Sequence, residues 1–376
     1  MRWLGLFLLA SCKFSANVSG DGGGVDGKEI DAAIDAPPDA FDDKCFGAGT
    51  FYFCLSAVPS GTESLDNNAT FDTTACNTVN AQPIMIGATQ VCALAAETIS
   101  LSSGQDTVVT GNLPLVLVAV TSITIDGNID ASSFDLKVGP GANSPACDTT
   151  GIDGTAAAGS TGGGGAGGTF GTIGGNGGTG GVTAGGVATT APPKSTILRG
   201  GCKGGTGMPG TAGLFGLGGN GGGAIFLASQ GTITINGAID ASGGGADGGQ
   251  ASKGGGGGGG SGGMIVFHSL GALTIGAAAT LNANGGGGGG GAGNVDPGDD
   301  GSDPIVTTPL VVALGGQTAT AGRSKGGDGA AGPTAATPGA NGGNGGGGGG
   351  GGHGLIRVLR GEINFPAGTV SPTPVN

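Results

Sequence analysis

Short runs in which apolar and polar residues alternate, the period of a β-strand, recur along the chain in a fixed order. Residues 115–132 and 225–242 align without a gap at an offset of 110 residues. Residues 265–284 follow at an offset of 40 with two extra residues near their end, and weaker copies lie at 91–109 and 355–370. Each copy predicts three short strands separated by Gly or Asn-Gly breaks. Internal repetition of this kind is typical of a solenoid.

We therefore expect an all-β fold, and two architectures fit the pattern. In the first, each copy is one coil of a right-handed parallel β-helix-like solenoid. Its apolar ladder would hold Ile123, Ile233, Leu273 and Ile363. In the alternative, the dipeptides 126–127 and 236–237 are type I′ hairpin turns of an antiparallel β-sandwich with Gly-rich loops. The copies stay in register across insertions of very different length, which favours the solenoid.

The insertions are rich in glycine, which supplies 95 of the 376 residues. Glycine recurs at every third position in residues 171–180, 201–222 and 339–354. A three-residue period is that of the polyproline II geometry, which has no internal hydrogen bonds, so the amides need partners on other segments. We predict packed polyglycine II helices in these insertions. Loose loops are the alternative, and collagen is disfavoured because the runs are short and poor in Pro.

The N-terminus resembles a bacterial lipoprotein signal. An apolar run at 3–10 follows Met1-Arg2, and residues 9–12 match a lipobox whose Cys12 becomes diacylated. Residues 1–11 are then the signal peptide, and the acyl chains on Cys12 anchor the protein in outer-membrane lipid. Lys13 takes the place of the aspartate that is associated with inner-membrane retention. The resemblance thus implies the outer membrane, with display at the cell surface.

Composition divides the rest of the chain into three parts. Residues 12–44 are acidic and rich in Ala and Pro, which predicts a disordered tether. Residues 45–90 hold most of the aromatic residues and predict a small disulfide-containing β cap, and residues 91–376 form the repeat β domain. The net charge is −13 without a basic patch. A nucleic acid is therefore not an expected partner.

Apart from Cys12 the chain has an even number of cysteines, which indicates disulfides in an exported protein. They are Cys45, Cys54, Cys76, Cys92, Cys147 and Cys202. About 15 connectivities are open, and proximity along the chain favours pairing each cysteine with the next. Zinc is disfavoured because the cysteines form no C-x-x-C pair and both histidines lie far downstream.

A catalytic set is not apparent in the sequence. We expect His268, in an alternating strand, to face solvent, whereas His353 and Ser261 lack the setting of an activated nucleophile. Asp130 and Asp240 recur at the same place in the repeat and are expected to cap turns. An acidic loop offers weak calcium ligands, although a solvated turn is the preferred interpretation. Its carboxylates are Asp296, Asp299, Asp300 and Asp303.

The strand sequence at 123–132 and its copies resemble the repeats of right-handed β-helical bacterial adhesins of the filamentous haemagglutinin type. The lipobox, tether and glycine blocks resemble glycine-rich bacterial cell-surface lipoproteins. The stretches with Gly at every third position are similar to polyglycine bundles in a phage tail adhesin and in a small glycine-rich antifreeze protein.

These resemblances imply a lipid-anchored structural or adhesive surface protein without catalytic activity or cofactor. Its partner would be a surface polysaccharide or another cell-surface protein. One alternative is a polysaccharide-binding or polysaccharide-lyase-like β-helix protein, for which Lys253 and Arg357 are the basic candidates. The other is an ice- or small-ligand-binding surface protein that uses a Thr/Ala face at 179–190.

Overall fold

Alternating and β-branched sequence forms strands in the chain, and no α-helix occurs among the residues described by the computed structural model. Those residues are 42–67, 70–76, 80–135, 137–147, 151–156, 161–190, 195–210, 215–317, 323–360, 365–366 and 369–375. The expected signal peptide, Cys12 and all but the end of the tether lie outside them.

The strands are numbered in chain order. They are β1 (Cys45–Phe46), β2 (Phe53–Cys54), β3 (Thr62–Ser64), β4 (Thr70–Asp72), β5 (Ala81–Ile86), β6 (Thr89–Leu101), β7 (Asp106–Thr110), β8 (Leu115–Ile125), β9 (Asn128–Asp130), β10 (Ala224–Ser229), β11 (Thr232–Ile235), β12 (Ala238–Asp240), β13 (Met264–Ser269), β14 (Leu273–Ile275), β15 (Thr280–Asn282), β16 (Leu355–Val358) and β17 (Val370–Ser371). Short 3-10 helices occupy Gly49–Phe51, Leu65–Asn67 and Pro145–Cys147.

The repeat copies lie side by side as parallel strands in two sheets. One sheet has the order β14-β11-β8-β10-β13-β16, and β6 also pairs with β8 and carries β3 and β5. The other sheet has the order β17-β15-β12-β9-β7-β4. Ile225 pairs with Leu115 on one side and with Ile265 on the other. The two extra residues of the third copy are absorbed before β15, where Leu281 pairs with Ile239. The register confirms the sequence offsets of 110 and 40 residues.

The hairpin alternative is wrong for the two repeated turns. The strands β8 and β9 that flank residues 126–127 lie in different sheets, as do β11 and β12 around residues 236–237. Neither Gly127 nor Gly237 has the positive φ that a type I′ turn requires. The turns instead stack on each other, since the side-chain amide of Asn236 donates to the carboxylate of Asp126 at 2.7 Å. Antiparallel pairing is confined, among the named strands, to β1 with β2 and β5 with β6.

Two apolar clusters hold the strands together. The larger cluster contains the predicted ladder residues Ile123 and Ile233, both fully buried, while Leu273 is partly buried beside it. Ile363 lies outside the described residues. The second cluster lies on the opposite face of β8, β10 and β13, where Phe226 packs edge-on against Phe51 of the segment between β1 and β2. Residues 45–54 thus cover a sheet face made of strands far along the chain.

The glycine-rich insertions all leave the strands at equivalent places. Residues 131–223, 241–263 and 283–354 each follow a strand of the second sheet (β9, β12 or β15) and lead into a strand of the first (β10, β13 or β16). The two ends of each insertion bind each other. For example, the amide of Gly263 donates to the carbonyl of Ala241 at 2.7 Å. The strand register therefore places the insertions in register as well.

Backbone hydrogen bonds with a period of three residues join the insertions. Along residues 255–263 the amides donate in rotation to three neighbouring segments, 202–208, 346–352 and 241–247. The carbonyls of residues 253–261 accept in the same rotation from 162–168, 216–222 and 286–292. In one row Gly255, Gly258 and Ser261 donate to Met208, Gly205 and Cys202 at 2.8, 2.8 and 3.0 Å. Each of residues 255–261 donates once and accepts once, as buried peptide groups require.

The central segment is surrounded by the six neighbouring segments to which it is hydrogen-bonded. This close approach on all sides explains why it is glycine at almost every position. A methyl group at Gly256, Gly257 or Gly258 would overlap a carbonyl oxygen of a different neighbouring segment in each case. At the rim, glycine fills two positions in three. In residues 171–182 the third position carries Ile173, Asn176, Thr179 and Val182, which are exposed or partly exposed. We call this assembly of glycine-rich segments the glycine bundle.

Replacing Gly257 by Ala should lower the free energy of unfolding by about 3 kcal/mol, because overpacking of a dense interior has that magnitude and carbonyl groups of the backbone cannot move aside. Gly343→Ala is the control, since Gly343 is exposed and has nothing within 4 Å of the added methyl position. Chemical denaturation of both variants measures the difference. Equal stability of the two variants would contradict the packing described here.

Candidate functional site

Three disulfides join cysteines that are neighbours along the chain: Cys45–Cys54, Cys76–Cys92 and Cys147–Cys202. They are the pairs expected from proximity in the sequence. The first bridges β1 and β2, and the second ties β6 to the loop after β4. The third joins two glycine-rich stretches within the insertion at 131–223. Arg199 lies beside it, with Nη1 3.1 Å from Sγ of Cys147 and the guanidinium 4.3 Å from the centre of the Phe170 ring.

Two carboxylates of the acidic loop accept hydrogen bonds from backbone amides of the glycine bundle. Asp300 and Asp303 each accept a backbone hydrogen bond at 2.7 Å, from Gly248 and Gly245 respectively. Their spacing of three residues matches the spacing of the amides they bind. Asp299 instead faces Arg323 at 3.7 Å. Together with Asp296 these residues were the calcium candidates, and the described part of the chain contains no group of three or more His, Cys, Asp or Glu side chains placed to hold a metal ion.

A groove of about 410 Å³ runs beside these carboxylates between rim segments of the bundle. Its lining includes Asp135, Asp247, Asp300 and Asp303, with Lys203 as its one basic residue. Burial, together with the charge of Asp300, raises the pKa of Asp247. Burial also raises the pKa of Asp303, despite the hydrogen bond from Gly245. The groove is thus an acidic surface whose carboxylates are partly committed to structural hydrogen bonds.

Asp130 and Asp240 cap turns, as their recurrence predicted. Each accepts a backbone hydrogen bond from the serine two residues later, Asp130 at 3.0 Å and Asp240 at 2.9 Å. The two residues are stacked in register, and the next position in the sheet is Asn282. Asp130 also forms a 2.7 Å ion pair with Lys137.

The burial of Asp240 was not evident from the sequence. Burial raises its pKa to about 7; the hydrogen bond from Ser242 opposes this rise and the charge of Asp130 adds to it. Asn282 beside it is fully buried, and neither polar atom of its side chain has a hydrogen-bond partner. Asp130, Asp240 and Asn282 occupy the same position in successive repeats. This repetition is the sequence signal that could have indicated the stacked row of polar side chains.

The histidines and Ser261 do not meet as a catalytic group. His268 was expected to face solvent, and this expectation is wrong, because its side chain is only 4% exposed. It lies two residues after Val266 on the face that residues 45–54 cover, and its pKa is lowered by burial and by the charge of Arg360. Ser261 is buried within the bundle, where its hydroxyl accepts from the amide of Cys202 at 2.8 Å. His353 is half-buried at the end of a central glycine segment.

The two basic residues considered for lyase chemistry are far apart. Lys253 precedes the segment 254–263, and Arg357 pairs with Val266 beyond its other end. At about 3.1 Å per residue that segment separates them by roughly 30 Å. Arg357 instead lines a cavity of about 330 Å³ together with Arg360 and residues 48–51.

The predicted Thr/Ala face at 179–190 contains both buried and exposed side chains. Thr183 in its middle is buried, and its hydroxyl donates to the carbonyl of Thr161 at 2.9 Å. Two large apolar side chains there are exposed, Val182 at 91% and Val187 at 65%. This part of the rim therefore presents separate apolar side chains and not a uniform row of hydroxyl groups.

Comparison of the chain with protein-family models gives no match. Searches of curated proteins and of solved structures give none either. The described residues include no helix with the length and apolar character needed to cross a membrane.

Replacing Asp240 by Asn should stabilise the protein at pH 8 and have little effect at pH 4. The folded protein binds a proton at Asp240 up to about pH 7, whereas the unfolded chain releases it near pH 3.8. Stability of the natural protein consequently falls as pH rises from about 4 to 7 and stays lower above that range. The expected gain at pH 8 is on the order of 2–4 kcal/mol.

Thermal and chemical denaturation across this pH range would measure the effect. Asp43→Asn, at an exposed position, is the matched control and should show no such pH-dependent gain. A D240N variant that is equally or less stable at pH 8 would contradict a net cost of burying this carboxylate.

Proposed function

We propose that this protein is a lipid-anchored structural or adhesive protein of the cell surface, without catalytic activity. The lipid on Cys12 would hold it in the outer membrane, and residues 13–44 would act as a spacer. The strands would wind as a right-handed β-helix-like solenoid, and the insertions would pack as polyglycine II helices on it. The parallel register of successive copies supports this winding, since parallel crossover connections are nearly always right-handed.

The observation that carries the proposal is the glycine bundle. Its segments are joined by backbone hydrogen bonds on up to six sides, and this leaves few internal degrees of freedom. The insertions that form it all lie between a strand of the second sheet and a strand of the first. Such an assembly can hold surface side chains in fixed relative positions. It offers little room for a catalytic cleft that opens and closes.

The rim of the bundle supplies side chains suited to contact with another surface. Ile173, Val182 and Val187 are exposed by 48%, 91% and 65%, although large apolar side chains normally avoid water. Along residues 171–182 every third position carries a side chain at the rim, about 9 Å from the next in polyproline II geometry, and two of these four side chains, Ile173 and Val182, are apolar. Apolar and polar side chains held at fixed spacings on an ordered frame lose little freedom on contact, which favours adhesion to an extended surface.

Intact bacteria that express the full chain should lose it to an added protease, and Cys12→Ser should release the protein from the membrane fraction. The physical reason is that two or three acyl chains give stable anchoring, whereas the rest of the chain would supply none. Immunoblotting of cells, membranes and medium measures both effects.

A protein that resists protease on intact cells but is cleaved in lysates would not be displayed at the surface. Ser11→Thr is a control variant that changes the lipobox without removing the cysteine.

Adhesion of cells carrying Gly257→Ala, compared with cells carrying Gly343→Ala at equal surface amount, tests the role of the bundle. Equal adhesion would remove the bundle from the proposed function.

A further inference from the structure

The disulfide Cys147–Cys202 has a buried cation beside both of its sulfur atoms. Nη1 of Arg199 lies 3.1 Å from Sγ of Cys147 and 3.3 Å from Sγ of Cys202. The guanidinium also lies 4.3 Å from the centre of the Phe170 ring, a distance at which an aromatic face attracts a cation. Phe170 is itself only 1% exposed. Arg199 is therefore held against the sulfur atoms of this one disulfide.

This guanidinium lacks the carboxylate partner that a buried arginine usually has. Arg199 is only 5% exposed, and in the described part of the chain no ion pair joins it to an acidic side chain. Its hydrogen bonds go to the two sulfur atoms, and a neutral sulfur is a weak acceptor. Burial lowers the pKa of Arg199, which reflects the loss of water around the cation. A thiolate would be a stronger partner, since a nearby arginine stabilises the charged form of cysteine.

The two sulfur atoms differ in their surroundings. Cys202 is fully buried in the glycine bundle, where its carbonyl accepts from the amide of Ser261 at 3.0 Å and its amide donates to the Ser261 hydroxyl at 2.8 Å. Cys147 ends the short helix Pro145–Cys147 and is 9% exposed. A cavity of about 280 Å³, lined in part by Arg199 and by residues 141–145, borders that helix. Cys147 is thus the sulfur nearer to an entry route, and Cys202 is the one enclosed by the bundle.

We propose that Cys147–Cys202 is a thiol–disulfide exchange site for a dithiol reductant, with Arg199 holding the released sulfur of Cys202 as a thiolate. The reductant would be a small dithiol or a protein with a pair of adjacent cysteines. Its first thiolate attacks Sγ of Cys147, forms a mixed disulfide and expels the sulfur of Cys202 as a thiolate. Its second thiol then attacks the mixed disulfide, closes the reductant's own disulfide and releases Cys147.

Electrons and protons balance in this exchange. The reductant loses two electrons and two protons and becomes a disulfide, while the protein disulfide gains the two electrons. One proton goes to the sulfur of Cys147 and the other goes to solvent, because Cys202 remains a thiolate beside Arg199. The positive charge thereby gains the anionic partner that it lacks in the oxidised protein, and this favours reduction.

The exchange site goes beyond the proposed surface function, because its chemistry is independent of where the protein is located. The disulfide spans 55 residues of sequence, and that span includes the rim segment 171–182. Opening the disulfide removes the covalent closure of this span and leaves its backbone hydrogen bonds as the remaining ties. The redox state of one pair of cysteines would therefore control how firmly this part of the rim is held.

The disulfide Cys76–Cys92 is the internal reference. It is buried to a similar degree, with exposures of 5% for Cys76 and 0% for Cys92. Among the residues that the structure describes, no arginine or lysine donates to its sulfur atoms. Its thiols should therefore behave as ordinary cysteines after reduction.

Equilibration of the full-length protein with mixtures of reduced and oxidised dithiothreitol tests the proposal. Alkylation of the free thiols and mass spectrometry of the cysteine peptides give the reduced fraction of each pair. Arg199→Gln should raise the ratio of reduced to oxidised dithiothreitol at half reduction of Cys147–Cys202 by about tenfold or more, because a hydrogen bond to a charged sulfur is lost. Arg199→Lys, which keeps the charge, should cause a smaller rise.

Arg357→Gln is the matched control, since it removes another arginine that lies beside a buried phenylalanine ring, 5.2 Å from the centre of Phe51. It should leave the half-reduction ratio of Cys147–Cys202 unchanged. The ratio for Cys76–Cys92 should stay the same in all three variants. Thermal denaturation of each variant establishes that it is folded.

The ionisation of the released thiol can be measured in the natural protein, so this part of the test does not depend on the folding of a variant. After reduction of Cys147–Cys202, ultraviolet absorbance of the thiolate is followed as a function of pH. We expect one thiol to ionise at about pH 7 or below, whereas an ordinary cysteine ionises near pH 8.5. Arg199→Gln should return this thiol toward the ordinary range.

Three outcomes would overturn the proposal: a half-reduction ratio that neither Arg199 substitution shifts, a shift that Arg357→Gln reproduces, and a reduced natural protein in which no thiol ionises below the ordinary range. These results are distinguishable from failure of the proposed function. A protein that is displayed on cells but has an inert disulfide refutes only the exchange site. A protein that exchanges as described but is not displayed refutes only the location.

Discussion

The backbone hydrogen bond between neighbouring glycine segments is the interaction on which the rest of the structure depends. One such bond contributes a net stability of about 1 kcal/mol. Ordering a residue costs about 1–2 kcal/mol, and glycine is at the unfavourable end. A single glycine segment therefore cannot be stable alone. It becomes stable when each peptide group both donates and accepts, as along residues 255–261, and when its neighbours are already ordered.

The strands provide that prior order. Apolar burial in the two clusters fixes the register of the parallel strands, and the insertions begin and end at those strands. The pairing continues past the strand ends, since Ala131 donates to the carbonyl of Asp240 and Ala241 to that of Asn282, both at 2.7 Å. The disulfide Cys147–Cys202 adds a covalent link within the insertion at 131–223. The parallel sheets and the glycine bundle are thus joined by continuous backbone pairing.

Much of this organisation follows from local patterns. The repeat offsets predicted the strand register, because identical faces must stack to bury their apolar residues. The proportion of glycine in each triplet indicates depth in the bundle. Residues 254–260, with no side chains, are surrounded, whereas residues 171–182 keep every third side chain at the surface. Cys45–Cys54 and Cys76–Cys92 pair across sequence separations of only 9 and 16 residues, whereas Cys147–Cys202 spans 55 residues and depends on the packing of the insertion.

The features that the sequence did not reveal all depend on contacts between distant segments. His268 is buried, and it follows Val266 by two residues on the face of β13 whose apolar cluster includes phenylalanines of residues 45–54. No local pattern encodes that long-range packing. The role of Asp300 and Asp303 depends on the position of another insertion. The cavity at Arg357 likewise joins residues at the two ends of the described chain. Such sites arise where an otherwise regular repeat is covered or ends.

Hydrogen exchange of the backbone amides at residues 255–261 tests the central claim most directly, because these amides differ from those of a loose loop only in being bonded to other segments. The account predicts exchange as slow as that of the amides of β8, β10 and β13, and loss of protection in the same unfolding transition. Exchange at random-coil rates in the glycine segments, with the strands still protected, would contradict it.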